Sequence, residues 1–148
     1  MDGFISTFVN KIDRKGRVSI PADFRAVLAR RNSAKVLLFP ALHVNAIEGA
    51  GEDYLAAIER DIEALPAFSQ AQDDMRDAIL PKIHWLAFDS EGRVVLPESL
   101  IAHAKLSDTA VFIGRGANFH IWNPAAVEAR MSEARARLQA QRRNGGGA

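Results

Sequence analysis

The nine residues DRKGRVSIP at positions 13–21 return as DSEGRVVLP at positions 89–97. Asp, Gly, Arg, Val and Pro keep their places, so the chain is built from two copies of one unit, and any fold it adopts has to satisfy both. Each copy reads as strand, tight turn, strand. An apolar residue precedes the Asp, and after the Arg the run Val18, Ser19, Ile20 alternates with a period of two. Aspartate opens such a turn by accepting backbone N–H bonds, and Gly16 and Gly92 supply the positive φ that other residues resist. Pro21 and Pro97 then stop the second strand and start a helix, with Phe24, Val27 and Leu28, or Leu100 and Ala104, facing inward. These roles account for Asp13, Asp89, the glycines, the valines and the prolines. They leave Arg17 and Arg93 over, since no hairpin needs a guanidinium at its rim.

The repeat continues past the prolines. Apolar runs follow at 36–39 (VLLF) and 111–113 (VFI), then second strand-like stretches around 44–47 and 118–122. In the first half Leu55, Ile58, Ile62 and Leu65 recur at helical spacing up to Pro66. In the second, Asn123 is placed as an N-cap and Pro124 at the first helical position, with Val127, Met131, Ala134 and Leu138 as the stripe. Both halves therefore read strand, turn, strand, short helix, strand, hairpin, strand, long helix, and a tandem duplication is the economical account. The expected division is a first half at 4–65, a connecting helix at 66–81, a second half at 82–140 and a disordered tail at 141–148.

A chain of 148 residues can bury a core as one domain or as two small halves sharing one core. With 25% charged and 48% hydrophobic residues it has ordinary globular composition. No apolar run approaches the roughly 20 residues of a membrane helix, and MDGFISTFVNK lacks the layout of a secretory signal, so a cytoplasmic location is expected. The lack of cysteine removes disulfides, thiolate metal sites and cysteine nucleophiles. A net charge of +1 alone argues against a nucleic-acid partner, but the average hides a partition. Residues 1–35 carry eight basic and three acidic side chains, a net of +5; residues 48–77 carry two and nine, a net of −7; residues 128–143 carry five and two, a net of +3. Such asymmetry places a positive face on a nearly neutral protein.

At this point the sequence resembles the MraZ family of bacterial transcriptional regulators, within the AbrB-like DNA-binding superfamily. The resemblance covers essentially the whole chain. It rests on the repeated Asp13-Arg14-Lys15-Gly16-Arg17 and Asp89-Ser90-Glu91-Gly92-Arg93, on Phe24-Arg25 after Pro21, and on Gly114, Phe119, Ile121 and Trp122 in the second half. It implies an α+β fold with a mostly-β core: a double-split β-barrel of two tandem pseudo-symmetric halves with flanking helices. It also implies rings of identical subunits bound to repeated boxes in double-stranded promoter DNA, upstream of the regulator's own operon in the division and cell wall gene cluster, with a nucleoid-associated location. Carried over by position, the DNA-contacting residues are Lys15, Arg17 and Arg93, with Arg14 beside them. Arginine's planar fork suits two acceptors on guanine and lysine suits phosphate, so the chemistry agrees. No cofactor, small-molecule ligand, metal or membrane partner is expected. The sequence departs from the family where Glu91 stands opposite Lys15, where Ser6 and Pro81 replace frequent glycines, where Ala117 replaces a frequent asparagine, and in EGAGEDY, which lacks a frequent tryptophan.

Other readings compete. Asp13 and Asp89 form a conceivable catalytic carboxylate pair, but aspartate in a glycine turn is ordinarily a turn former, and no enzymatic activity is expected. His43, His84, His103 and His120 show no metal-ligand spacing. GRGANF at 114–119 lies between two strand-like runs and reads as a hairpin turn rather than a phosphate loop. The tail arginines Arg130, Arg135, Arg137, Arg142 and Arg143 read as a solvated helix face before an RNA-binding arm, and Phe112, Phe119 and Trp122 as core before base-stacking platforms. The alternative from another class is a ring-forming scaffold or antitoxin-like module whose surface is the acidic stretch at 52–77.

Overall fold

Strand β1 (Thr7–Lys11) comes from the first half of the chain and pairs antiparallel with β7 (Thr109–Gly114) from the second. Strand β5 (His84–Ala87), from the second half, pairs with β3 (Lys35–Pro40) from the first. With β4 (Ile47–Ala50) and β8 (Phe119–Trp122) these make one six-stranded antiparallel sheet, in the order β1-β7-β8-β4-β3-β5. The remaining strands, β2 (Arg17–Ser19) and β6 (Arg93–Val95), form a separate two-stranded ribbon. The helices are α1 (Ala22–Arg30), α2 (Glu52–Glu63), α3 (Gln70–Ile79), α4 (Glu98–Ala104) and α5 (Pro124–Gly145), with a 3-10 turn at Leu80–Lys82. This is a computed structural model, and it describes residues 3–145. Among the described residues no helix is long and apolar enough to cross a membrane.

The element order agrees with the repeat, but the pairing differs from a pair of simple hairpins. After the first turn β2 keeps only one bridge to its own partner, Ile12 to Val18, and takes its ladder from β6. The reason is burial. A three-residue strand cannot cover its own apolar face, whereas Val18 and Ile20 from one copy and Val94 and Leu96 from the other bury one another, none more than 2% exposed. The two copies thus share one core, centred on Phe4, Phe24, Phe112 and Phe119. Glycine 49 sits in this core with no room for a side chain, because a Cβ there would lie 2.3 Å from the Phe119 ring.

Three expectations need correction. The strand expected around 44–47 begins later, at Ile47, because residues 42–46 bend and only Ala41 bonds across to Ala46. The helix stripes are covered unevenly: of the apolar residues on α2 only Ile62 is buried, and on α5 Met131 and Leu138 remain 44% and 61% exposed. Helix α5 runs to Gly145, so residues 141–145 of the expected disordered tail are helical and residues 146–148 lie outside the described residues. Glutamine and arginine favour a helix, and nothing interrupts it before the first glycine. Ser6 adopts φ +75°, the left-handed conformation glycine accepts most easily.

Candidate nucleic-acid interface

Both turns of the repeat are built by the same aspartate chemistry. In the first, Asp13 Oδ1 accepts the backbone N–H of Lys15 at 2.9 Å and of Arg17 at 2.8 Å, while Oδ2 takes Nε of Arg17 at 2.6 Å. In the second, Asp89 Oδ1 accepts from Glu91 and Arg93, both at 2.9 Å, and Oδ2 takes Nε of Arg93 at 2.9 Å. Gly16 and Gly92 sit at φ +81° and +76°, and each donates its N–H back to the aspartate carbonyl. Asp13, Gly16, Asp89 and Gly92 therefore shape the turns. Both oxygens of each carboxylate are engaged in its own turn.

The turns are stitched to each other across the pseudo-symmetry. The Gly16 carbonyl accepts from Leu96 N–H at 2.8 Å and the Gly92 carbonyl from Ile20 N–H at 3.1 Å. In the ribbon between them Arg17 faces Val95, Val18 faces Val94 and Ser19 faces Arg93. Side chains alternate across a strand, so Val18 and Val94 point into the core and Arg17, Ser19, Arg93 and Val95 share the outer face. The two arginines left over by the sequence argument thus stand diagonally on the half-exposed outer face of one ribbon, each held through Nε by its aspartate.

The two tips differ in charge. Arg14 and Lys15 are exposed at the first; Ser90 and Glu91 stand at the second, where Glu91 Oε2 lies 3.4 Å from Nη2 of Arg93. A cation from elsewhere makes up the difference. Arg25, on α1, donates from Nε to the Ile20 carbonyl at 3.0 Å and lays its guanidinium against Gly92, where a Cβ would meet Cζ at 2.5 Å. Sequence reasoning gave Arg25 no place in the site. The available signal was its place beside Phe24 in the Phe24-Arg25 pair that follows Pro21.

The turn hydrogen bonds hold Asp13 and Asp89 below the ordinary carboxylate value of 3.8, chiefly through the backbone N–H of Arg17 and Arg93 respectively. The Asp89 carboxylate in turn raises the pKa of Arg93. The sign follows: turn stabilisation is present above 3.8 and is lost only as pH falls through the lowered folded values. In a carboxyl-detected NMR titration both side chains should titrate below 3.8; ordinary midpoints would mean the turns are open in solution.

A second polar cluster lies away from the turns. Glu48 Oε2 accepts from Tyr54 Oη at 2.8 Å and Asn118 Nδ2 at 3.1 Å, and His120 Nε2 lies 3.5 Å from Glu48 Oε1. Burial pushes the Glu48 pKa up, but the His120 and Tyr54 contacts outweigh it and the net direction is down. Among the described residues there is no group of three or more metal-ligating side chains. The stretch at 114–119 is a hairpin turn with Gly116 at φ +83°, and Phe112, Phe119 and Trp122 are core.

Comparison with known proteins gives a consistent answer. A family model described as "MraZ protein, putative antitoxin-like" matches residues 83–145. The chain is 40% identical over 144 residues to the transcriptional regulator MraZ of Azorhizobium caulinodans, spanning 97% of this chain and 92% of that protein. It is 39% identical over 139 residues to the Xanthobacter autotrophicus protein of the same name, spanning 94% and 88%. To that of Rickettsia akari it is 37% identical over 142 residues, spanning 96% and 95%.

Proposed function

Because this chain belongs to the MraZ family of transcriptional regulators, we propose that it acts by reading promoter DNA with the β2–β6 ribbon. One observation carries the reading: Arg17 and Arg93 share the half-exposed outer face of a two-stranded ribbon flanked by Arg14, Lys15 and Arg25. The major groove admits a two-stranded β-ribbon, and arginine can bond both O6 and N7 of guanine. Arg14 and Lys15 are suited to phosphate, where a point charge positions the protein without reading sequence. On this reading the six-stranded sheet and the ribbon together form a double-split barrel, made by two duplicated halves at 4–65 and 82–140 joined by the segment 66–81. The protein works in the cytoplasm at the nucleoid, on boxes upstream of its own operon.

One ribbon per chain makes a single contact modest, and a ring of identical subunits would raise the effective concentration at repeated boxes. The test compares purified protein on a fragment from upstream of its own gene carrying several boxes with one trimmed to a single box. Affinity should fall sharply on trimming; equal affinity for both, or for unrelated DNA, would overturn the reading. In the same assay Lys15→Ala should weaken binding to all sequences alike and make the slope of log affinity against log salt shallower by about 0.9. Glu91→Lys should steepen that slope.

A further inference from the structure

The pseudo-symmetry of the ribbon is broken on its outer face. After the shared Gly-Arg-Val the first copy has Ser19 and the second has Val95. Each stands directly opposite the arginine of the other copy, Val95 facing Arg17 and Ser19 facing Arg93. Val95 is 57% exposed, whereas its neighbours along the strand, Val94 and Leu96, are each 2% exposed. Valine suits the covered side of a strand, yet here it is turned outward, next to an arginine. Its Cγ1 lies 4.0 Å from the point where a Cβ on Gly16 would stand, so it sits beside the first turn, the one that carries Arg14 and Lys15.

An apolar side chain on a surface that reads base edges has few partners to choose from. In the major groove the base edges present hydrogen-bond donors and acceptors, and the C5-methyl of thymine is the apolar group among them. Directly opposed residues on paired strands have Cβ atoms about 5 Å apart and stacked bases are about 3.4 Å apart, so Val95 and Arg17 reach bases within about two steps of each other.

We propose, on the ribbon reading above, that Val95 contacts the methyl group of a thymine close to the guanine that Arg17 reads. The other end of the ribbon has no equivalent. Ser19 beside Arg93 offers a hydroxyl, which donates and accepts alike and so discriminates little between bases. Arginine with valine at one end and arginine with serine at the other read different base pairs, and the ribbon thereby distinguishes the two orientations of its box.

The test replaces thymine by deoxyuridine, one position at a time, in a duplex carrying one box from upstream of the gene. Deoxyuridine keeps the base pair and the O4 acceptor and lacks only the methyl. Fluorescence anisotropy with the full chain should find a thymine whose replacement weakens binding about fourfold, the effect of uncovering one methyl-sized group. Val95→Ser copies residue 19 of the same ribbon and alters an exposed side chain, so it should keep the parent's melting temperature. It should bind the natural box about fourfold more weakly and be indifferent to the replacement, while Val95→Ile should stay sensitive. The thymine-to-deoxyuridine affinity ratio should hold constant with salt, because a methyl contact releases no counterions. A parent indifferent to deoxyuridine at every position, or a Val95→Ser variant as sensitive as the parent, would overturn the thymine contact; the ribbon reading would still stand if Arg17→Ala weakened binding. A parent with no preference for the box, or an Arg17→Ala variant that binds it as tightly, would overturn both.

Discussion

Arg17→Ala and Arg93→Ala should each weaken binding to the cognate DNA by about 1–3 kcal/mol, roughly 5- to 150-fold, with the fold and assembly unchanged. The fold should survive because the ion pairs these arginines make, Arg17 with Asp13 and Arg93 with Asp89 and Glu91, are partly exposed, and such pairs contribute little to stability. The loss should be specific to the right sequence, unlike that of Lys15→Ala, because a base contact discriminates and a phosphate contact does not. Asp13→Asn separates two functions of one carboxylate. Asparagine keeps an oxygen for the N–H groups of Lys15 and Arg17, but its amide nitrogen cannot accept from Arg17 Nε, so the turn should persist with a looser arginine and an intermediate loss of affinity. Fluorescence anisotropy with cognate and scrambled duplexes measures all three. If both arginine variants bind the cognate site as tightly as the parent, the ribbon is not the reading head and the acidic scaffold alternative takes over.

Phe24→Ala should cost about 3–5 kcal/mol, a large share of the roughly 5–15 kcal/mol that holds a domain together. The side chain is 1% exposed and its ring lies 5.3 Å from Phe4, 5.4 Å from Phe8 and 5.0 Å from Phe119, mostly edge to face. Truncation therefore opens a cavity ringed by aromatics that cannot collapse into it. The partners come from both halves of the chain, so the damage cannot be confined to one. Thermal unfolding should remain a single transition, lowered by roughly 10–15 °C for a chain of this size. Two separated transitions would show that the halves fold independently, contrary to the shared sheet. Phe24→Leu, which keeps most of the volume, should lose much less.

The turns were legible because their chemistry is local. An aspartate, a glycine three residues on and an arginine one further specify a hydrogen-bonded loop whatever surrounds it, and Asp13 and Asp89 close the same bonds in both copies. Helices α1 and α4 were legible for the same reason, since proline at the start and apolar residues at helical spacing are short-range signals. Strand β4 and the end of α5 were misplaced where the signal was weak: an apolar residue such as Val44 sits equally well in a strand or in a bend packed on a core.

What the sequence determined by itself is the unit and its number. It encodes two copies of strand, turn and helix, an arginine after each turn glycine, and a charge partition that sets a basic first segment against an acidic middle. Only the tertiary structure decided how the copies combine. That β2 leaves its own hairpin for β6, that Arg17 and Arg93 come to share one face, and that Arg25 covers the glycine of the opposite turn are all contacts between residues about 70 positions or more apart. No local pattern encodes such pairs. They arise because a three-residue strand cannot bury its apolar face against its own neighbour, and the copy that can cover it is the other half of the chain.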